Sequence, residues 1–304
     1  MPEMTVKSAA KINLALDVTG KRPDGYHNIK SVFQTVGLYD EITVKLTDSG
    51  INISCDVSPE AIGYRKGENP YKIHKMLADN AIPCDERNIA YKTAKKFFEE
   101  NNMNIGCDIH IKKNIPSQAG MGGGSSDAAA VIYCLEKLTG GKFSNPERIG
   151  ADVPFFLTGG TAYVEGIGEK ITPLHDYSGK ILVIAKLPVG VSTAKAYKNI
   201  DKIKRPIHPK VKTLVNAINN FPEKAHKYFG NLFEEAVELV TVFKLKEMLI
   251  SHGALNSLMT GSGSAVFGLF ESREKAERCA KFLKSVCVPF AVVCETVNKS
   301  FIEI

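Results

Sequence analysis

The sequence lacks long apolar runs and an ordered set of cysteines, and each absence excludes a class of protein. No stretch reaches the ~18 apolar residues that a membrane-spanning helix needs, and the opening MPEMTVKSAAKINLALDV has no long apolar segment of the signal-peptide type. The 7 cysteines include no CxxC pair and no repeated spacing with histidine. This pattern is typical of reduced thiols, so we expect a cytoplasmic protein with no membrane association.

Charge of one sign is not concentrated anywhere in the chain. The formal net charge of +6 comes from 39 basic and 33 acidic side chains spread along the sequence. A nucleic-acid-binding protein would be expected to carry a clustered basic stripe with interleaved aromatic residues, and none occurs. The mild positive excess favours a small anionic ligand at least as much as a nucleic acid. We expect no nucleic-acid partner, and nothing implies an obligate protein partner.

The first half of the chain reads as strands followed by a helix, another strand and a second helix. Turn signals separate short strand-like runs over 5–9, 13–18, 31–37, 41–46 and 51–54, which predicts an antiparallel β opening. A helix is predicted after Asn88, its N-cap, because apolar residues recur at helical spacing from Ile89 to Phe98. Alternation of Ile109 and Ile111 with polar neighbours predicts the next strand.

The second half alternates strands and helices from about Ala162 onward. Strands are predicted for AYVEG, KILVIAKL, NSLMTG, AVFGLF and FAVVCETV, and helices around 210–220, 231–251 and 273–285. This order is similar to a βαββαβ unit. At 304 residues, with no internal repeat, the chain suits two domains or one large one, and the fold class is α+β.

A glycine-rich stretch, IPSQAGMGGGSSDAAA (115–130), lies between a strand and an alanine-rich helix that we predict to begin at Ser125, with a Ser or Asp as its N-cap. Glycine tolerates positive φ and has no Cβ, so successive backbone N–H groups can turn toward one ligand. With the unpaired N–H groups of a helix start, this predicts an anion site, most naturally for phosphate. The alternative is a flexible loop without a ligand.

Spacing excludes the common nucleotide-binding loops. A Walker A loop needs a lysine after its glycines, and none follows here. A GxGxxG motif that begins at Gly120 would need glycine at position 125, which is serine. One that begins at Gly122 would need glycine at position 127, which is aspartate.

Four blocks of the sequence resemble the GHMP kinases, the superfamily of galactokinase, homoserine kinase and mevalonate kinase. The glycine stretch matches their phosphate-binding motif P-x-x-x-G-[ML]-G-G-G-S-S-[DN]-A, and LMTGSGSAVFGLF is similar to their C-terminal glycine motif. AAKINLALDVTGKRPDGYH and GADVPFF resemble segments of the members that phosphorylate a cytidine diphosphate-linked methylerythritol. The blocks occur in family order and, with the segments between them, cover nearly the whole chain.

The resemblance implies a fold, a reaction and a set of ligands. The fold would be a two-domain α+β GHMP kinase fold, with an N-terminal ribosomal-protein-S5-like β-α nucleotide-binding domain over 1–163. A C-terminal ferredoxin-like domain would follow over 164–304, with the active site in the cleft between them. ATP would be the co-substrate, with Mg²⁺. The acceptor would be the 2-hydroxyl of the cytidine diphosphate-linked methylerythritol, in non-mevalonate isoprenoid synthesis.

Two residues carry the chemistry that the resemblance implies. Asp152 would orient or deprotonate the accepting hydroxyl, and Lys11 would keep Asp152 ionised and stabilise charge on the phosphate oxygens. Without the resemblance, Asp152 would be an ordinary turn aspartate before Val-Pro, and Lys11 a solvated lysine beside a strand. A catalytically silent homologue would have lost one of them, and both are present.

The remaining site residues come from the same matched blocks. The ATP-binding set is Pro116, Ser117, Gln118, Ala119, Gly120, Met121, Gly122, Gly123, Gly124, Ser125 and Ser126, with Asn88 near the adenine. The substrate-binding set is Asn13, Tyr26, His27, Thr193, Tyr197, Gly261 and Ser262. Tyr26 and Tyr197 would stack on the two faces of the cytosine, and His27 would pair with its edge. Ser125 or Ser126 would reach Mg²⁺, the alternative being simple helix capping.

Two departures from the family pattern and two rival functions stay open at this point. The segment before GADVP is short for the helix that the family usually has there, so the chain either crosses by a compact loop or lacks residues. The stretch 58–83 is longer than expected and is either an extra lobe near the nucleotide or a surface insertion.

A GHMP kinase for homoserine or a mevalonate derivative is one rival function, but it would leave the DGYH aromatics and Tyr197 with no base to stack on. An RNA-binding protein is the other.

Overall fold

The computed structural model describes residues 1–62, 82–237 and 239–304, and two sheets organise them. The first sheet has eight strands: β1 (Glu3–Lys21), β2 (His27–Thr47), β3 (Ile51–Val57), β4 (Gly106–Lys113), β5 (Thr161–Gly166), β6 (Lys170–Pro173), β8 (Gly230–Asn231) and β12 (Phe301–Glu303). Its main order is β12-β1-β2-β4-β3. Strand β5 pairs with β2 and β6, and β8 pairs with β1.

Strands β1 and β2 are much longer than the sequence predicts. Each was expected as two short strands, but each is a single strand, of 19 and 21 residues. The antiparallel register between them shifts at three places, the first between Ala9 and Ala10 and the second between Asn13 and Ala15. Such β-bulges change which side chains face the core without ending the strand, and this is why the alternation appears interrupted in the sequence.

The sheet is mixed, whereas the sequence predicted an antiparallel arrangement for the strands up to residue 54. Strand β3 pairs with β4 in parallel, and β8 pairs with β1 in parallel. Between β3 and β4 lies α1 (Ile89–Glu100), which buries Phe97 and Phe98. Asn88 is its N-cap, as predicted, and accepts a hydrogen bond from the Ala90 N–H at 2.9 Å. Most of the long 58–83 stretch lies outside the described residues.

The alanine-rich helix, α2 (Gly123–Thr139), begins two residues earlier than expected. Its N-cap is Gly122 in the left-handed region at φ 71°, so the predicted Ser or Asp cap is wrong. A Cβ at position 122 would lie 2.8 Å from the Phe156 ring, so packing as well as φ requires glycine here. Ala128, Ala129 and neighbouring apolar residues bury the helix against the first sheet.

The path into Asp152 is compact. After α2 the chain makes one 3₁₀ turn (Pro146–Arg148) and then enters α3 (Val153–Thr158), whose first residue follows Asp152. The chain therefore makes a compact crossing at this short segment.

The second sheet has the order β11-β7-β10-β9, with antiparallel neighbours throughout. Its strands are β7 (Ile181–Lys186), β9 (Asn256–Met259), β10 (Val266–Phe270) and β11 (Phe290–Glu295). Helices α7 (Val240–Ser251) and α8 (Arg273–Ser285) connect them in a βαββαβ order, which is ferredoxin-like.

Three shorter helices lie between β7 and β9: α4 (Thr193–Ile200), α5 (Val211–Asn220) and α6 (Phe233–Ala236), with a 3₁₀ segment at Pro222–Tyr228. No element was predicted where helix α4 lies, and the helix expected over 231–251 is divided into α6 and α7. The two sheets share their cores, because Phe33 and Val164 belong to the same buried cluster as Val183 and Leu249. The first sheet continues to Pro173, and the division at 163/164 stays a prediction.

Candidate active site

Two backbone turns from the two halves of the chain meet at the glycine stretch. A Cβ on Gly120 (φ 73°) would lie 2.2 Å from the Thr260 carbonyl oxygen, and a Cβ on Gly261 (φ 56°) would lie 2.7 Å from the Gly120 carbonyl oxygen. The hydroxyl of Thr260 also donates to the Gly120 carbonyl at 3.2 Å. Both glycines are therefore needed for the close approach of one backbone to the other.

The start of α2 leaves N–H groups available to a ligand. The first bond within the helix runs from the Ser126 N–H to the Gly122 carbonyl at 2.9 Å. In the described part of the chain, the N–H groups of Gly123, Gly124 and Ser125 have no hydrogen-bond acceptor. They face a cavity of about 360 Å³, and aligned N–H groups at a helix start favour an anion. Its lining is Ile89, Lys113 and all of Ile115 to Ser125.

A second cavity of about 420 Å³ lies on the other side of the glycine loop. Gly120, Gly122 and Ser125 line both cavities, so the loop is their common wall. The other lining residues of the second cavity are Lys11, Asn13, Leu16, Tyr26, Ile29, Phe33, Ala151, Asp152, Ile167, Thr193, Tyr197, Phe233, Gly261 and Ser262.

The structure brings Lys11 and Asp152 together in this second cavity. The Lys11 Nζ lies 3.7 Å from Asp152 Oδ2, and their side chains are 5% and 28% exposed. Burial lowers the pKa of Lys11, and the Asp152 carboxylate partly opposes that effect. The Nζ also sits 4.2 Å from the centre of the Phe33 ring, a favourable position for a cation. A buried cation is thus held beside a carboxylate that remains accessible from the cavity.

Asn13 connects this pair to the turn from the second half. Its Oδ1 accepts from the Lys11 Nζ at 2.8 Å and from the Gly261 N–H at 2.9 Å. Behind that turn, the Asn231 amide donates to the carbonyls of Met259 at 2.7 Å and Gly261 at 2.8 Å. Asn231 was not predicted from the sequence, because its position in a two-residue strand gives no local signal.

Tyr26, Tyr197 and Phe233 line the second cavity, whereas the predicted substrate residue His27 lines neither cavity. Tyr26 is 62% exposed. The His27 ring stacks on Tyr197, with ring centres 4.6 Å apart and planes 18° apart, and Phe233 meets Tyr197 edge-on. One face of Tyr197 is therefore covered by His27, and the expected stacking of a base on that face would require His27 to move.

Asn88 and Ser126 are the two predicted ATP-binding residues that line neither cavity. The Asn88 side chain caps α1 and donates to the Pro83 carbonyl at 2.8 Å. Ser126 is fully buried, donates to the Ala9 carbonyl at 2.7 Å and bonds the Ser8 hydroxyl. The hydroxyl of Ser126 is thus committed to the interior, and Ser125 is the serine that faces the cavities.

A cluster of buried charged side chains, which the sequence did not predict, lies beside the cavity of about 360 Å³ at the start of α2. Lys113 bonds the carboxylates of Asp40 and of Asp127, the latter at 2.7 Å. Those two carboxylates raise the pKa of Lys113, whereas burial raises that of Asp127. A signal was present, because Lys113 follows Ile109 and Ile111 at alternate positions and so falls on the buried face of β4.

Some site types find no support within the residues that the structure describes. Residues 1–62, 82–237 and 239–304 contain no group of three or more His, Cys, Asp or Glu side chains arranged to hold a metal ion. Over the same ranges, no helix combines the length and apolarity needed to cross a bilayer.

Comparison with known proteins identifies the family. The model for the GHMP kinases N terminal domain matches residues 88–160, and the model for the GHMP kinases C terminal domain matches residues 241–288. A 4-diphosphocytidyl-2-C-methyl-D-erythritol kinase of Clostridium beijerinckii is 40% identical over 294 residues, which cover 92% of this chain and 96% of that protein. One from Clostridium tetani is 39% identical, with coverage of 93% and 96%.

Solved structures of GHMP kinases have the same fold as this chain. A crystal structure of 4-(cytidine 5'-diphospho)-2C-methyl-D-erythritol kinase superposes with a TM-score of 0.76 at 28% identity, covering 96% of this chain and 99% of that one. Homoserine kinase from Cytophaga hutchinsonii gives a TM-score of 0.74 at 18% identity, with coverage of 100% and 98%, and at that identity shares the fold alone. These relatives and family models place the chain in the 4-diphosphocytidyl-2-C-methyl-D-erythritol kinase family of the GHMP kinases.

Proposed function

We propose that this chain transfers the γ-phosphoryl group of ATP to the 2-hydroxyl of 4-diphosphocytidyl-2-C-methyl-D-erythritol, giving the 2-phosphate and ADP. The step belongs to non-mevalonate isoprenoid precursor synthesis, in the cytoplasm. The observation that carries the proposal is the position of the Lys11–Asp152 pair, in a cavity separated only by the glycine loop from an anion-binding cavity. The relatives of about 40% identity support this acceptor.

ATP binds in the cavity beneath the start of α2. Its phosphates lie on the free N–H groups of Gly123, Gly124 and Ser125 and on the loop from Pro116 to Met121 that completes the wall. The γ-phosphorus is then at the Gly120–Gly122 wall, which opens toward Lys11 and Asp152. Asn88 contributes by fixing the start of α1, next to Ile89 in the lining, rather than by touching the adenine.

The residues present fit a magnesium ion carried by the nucleotide. Mg²⁺ in kinases is held largely by phosphate oxygens and water with one or two protein groups, so a cluster of three protein ligands is not needed. Ser125 is the hydroxyl that both cavities share, whereas the Ser126 hydroxyl is already bonded to the interior. When bound, the ion neutralises charge on the transferred phosphoryl group. We assign its protein contact to Ser125.

Asp152 prepares the acceptor hydroxyl for attack, and Lys11 stabilises charge both on Asp152 and on the transferred phosphoryl group. With 28% of its side chain exposed to the cavity, the carboxylate accepts a hydrogen bond from the 2-hydroxyl and takes its proton as the oxygen attacks. The Lys11 ammonium stabilises the carboxylate before transfer and the equatorial phosphate oxygens during it. Asn13 keeps Lys11 in place through the 2.8 Å bond and ties it to Gly261. Thr193 and Ser262, which bond each other at 2.9 Å, position the acceptor from the opposite wall.

The cytidine end of the substrate lies toward Tyr26 and His27. Tyr26 offers an exposed ring face in the cavity. His27, which stacks on the cavity residue Tyr197, offers a ring nitrogen to the edge of the base. Burial, with a smaller contribution from the charge of Asp152, raises the pKa of Tyr197 to about 12, so this ring stays neutral beside the substrate. Tyr197 backs His27 in the present arrangement.

A coupled ADP-release assay tests the proposal. The purified chain is given ATP and Mg²⁺ with the cytidylylated methylerythritol, with homoserine or with mevalonate, each over a range of concentrations. Turnover with the cytidylylated alcohol alone supports the proposal, and turnover only with one of the other alcohols overturns it. Lys11→Met serves as the matched inactive control, which excludes a contaminating kinase as the source of any ADP.

A further inference from the structure

His27 is held by a carboxylate that no matched motif contains. Its Nε2 lies 2.7 Å from Asp201 Oδ1, and its ring is 8% exposed. Asp201 is the residue after α4, the helix that carries Tyr197, so the side chain joins the β1–β2 hairpin to the second half of the chain. The other carboxylate oxygen accepts from Lys21 at 3.0 Å. Lys21 and His27 are directly opposite each other in the β1–β2 hairpin, so both residues of this cross-strand pair contact Asp201.

The contact determines which nitrogen of His27 carries a proton. An ionised carboxylate is only an acceptor, and the bonds from His27 and Lys21 lower the pKa of Asp201, which keeps it ionised. Nε2 must therefore be the N–H donor. In the neutral imidazole, Nδ1 is then the acceptor, and within the part of the chain that the structure describes it has no protein partner.

An acceptor at this position distinguishes two pyrimidines. Cytosine presents an amino group, a donor, where uracil presents a carbonyl oxygen, an acceptor. We propose that Asp201 is a positioning residue that fixes His27 as the Nε2–H tautomer, so that Nδ1 accepts from the cytosine amino group and a uridine-linked analogue is rejected. This inference rests on the proposed function and adds to it a residue for base selection.

Substitution of Asp201 by asparagine reverses the tautomer. Lys21 has only donors, so it keeps the amide oxygen of the new side chain on its own side. The amide NH₂ then faces His27 and donates to Nε2, which moves the ring proton to Nδ1. A donor now faces the base and repels the cytosine amino group. The Asp201 side chain is 31% exposed at a helix end, so the fold should survive the change.

The experiment has two readouts. The imidazole ¹⁵N shifts of protein labelled with ¹⁵N-histidine report the tautomer of His27, assigned by its absence in His27→Gln. The ratio of kcat/KM for the cytidine-linked over the uridine-linked substrate reports base selection. We expect Asp201→Asn to move the proton to Nδ1 and to lower the ratio about tenfold, mainly through the KM of the cytidine-linked substrate, with the KM for ATP unchanged.

Two further variants separate positioning from general damage. Adding Lys21→Met to Asp201→Asn frees the amide to turn its oxygen to His27, which should restore the Nε2–H tautomer and most of the ratio. Asp176→Asn, an exposed carboxylate outside both cavities, should change neither readout. An unchanged ratio or an unchanged tautomer in Asp201→Asn overturns this inference alone. Failure of the unsubstituted protein to turn over the cytidine-linked substrate overturns the proposed function.

Discussion

Asp152→Asn tests the assignment of the catalytic pair most directly. The substitution keeps the size of the side chain but removes its ability to take a proton and its charge near Lys11. A general base contributes typically 10²–10⁴-fold to a rate, so we expect kcat to fall by about that factor. The KM for ATP should change little, because Asp152 does not line the nucleotide cavity. Its side chain makes no capping bond to α3, so the helix should form normally.

The same substitution should affect stability in a pH-dependent way. Two unit charges 3.7 Å apart attract by about 4 kcal/mol at an effective dielectric constant of ~20, and exposure of Asp152 reduces the loss to roughly 1–2 kcal/mol. Burial lowers the pKa of Lys11 below 10.5, so its protonated form opposes folding, and stability rises as the pH climbs from the folded pKa toward 10.5. Without Asp152 that pKa falls further, so the deficit is largest below the folded pKa values and shrinks as the pH rises toward 10.5.

Two measurements test the expected loss of turnover and the expected pH-dependent loss of stability in Asp152→Asn. Coupled ADP release with saturating ATP gives kcat. Urea unfolding at about pH 7 and at about pH 10.5, the ordinary pKa of lysine, gives the stability difference, which should shrink at the higher pH. Asp176→Asn serves as the surface control for both measurements. Full turnover in Asp152→Asn would refute its role as the base. An equal deficit at both pH values would refute the electrostatic coupling to Lys11.

Three further predictions concern the walls of the site. Gly120→Ala should destabilise the fold by about 2–5 kcal/mol and abolish turnover, because its Cβ would meet the Thr260 carbonyl. The fold should tolerate Gly124→Ala, because its Cβ would lie 3.6 Å from Ile89, an ordinary contact distance. Thermal unfolding compares the two variants. Ser126→Ala should lower the free energy of unfolding by about 1–3 kcal/mol with little effect on the KM for ATP. Ser125→Ala should instead raise the KM for ATP with little effect on the free energy of unfolding. Urea unfolding and initial rates measure these two quantities. Lys113→Met should cost about 3–5 kcal/mol in urea unfolding, because two buried carboxylates lose their cation; stability equal to that of the unsubstituted chain would contradict the ion-pair geometry.

Elements whose signal is local could be predicted from the sequence. Helix α1 has an asparagine cap and apolar residues at helical spacing, and α8 begins and ends where its pattern does. Helix α4 was missed because it buries only Ala196 and Ile200, too few residues to establish a period. The length of β1 was missed because its bulges depend on the partner strand, which local alternation does not report.

The sequence by itself determined the reaction class and the residue types of the site, because motif spacing and order survive in the linear chain. Lys11, Asp152, the glycine stretch and the GYH block were all predicted as site residues in this way. Tertiary structure alone decided which of these residues face the two cavities. It turned Ser125 outward and Ser126 into the core, placed His27 against Tyr197 and Asp201, and brought Gly120 onto Gly261. These contacts join residues far apart in the chain, and they are set by how two sheets pack, which no local pattern encodes.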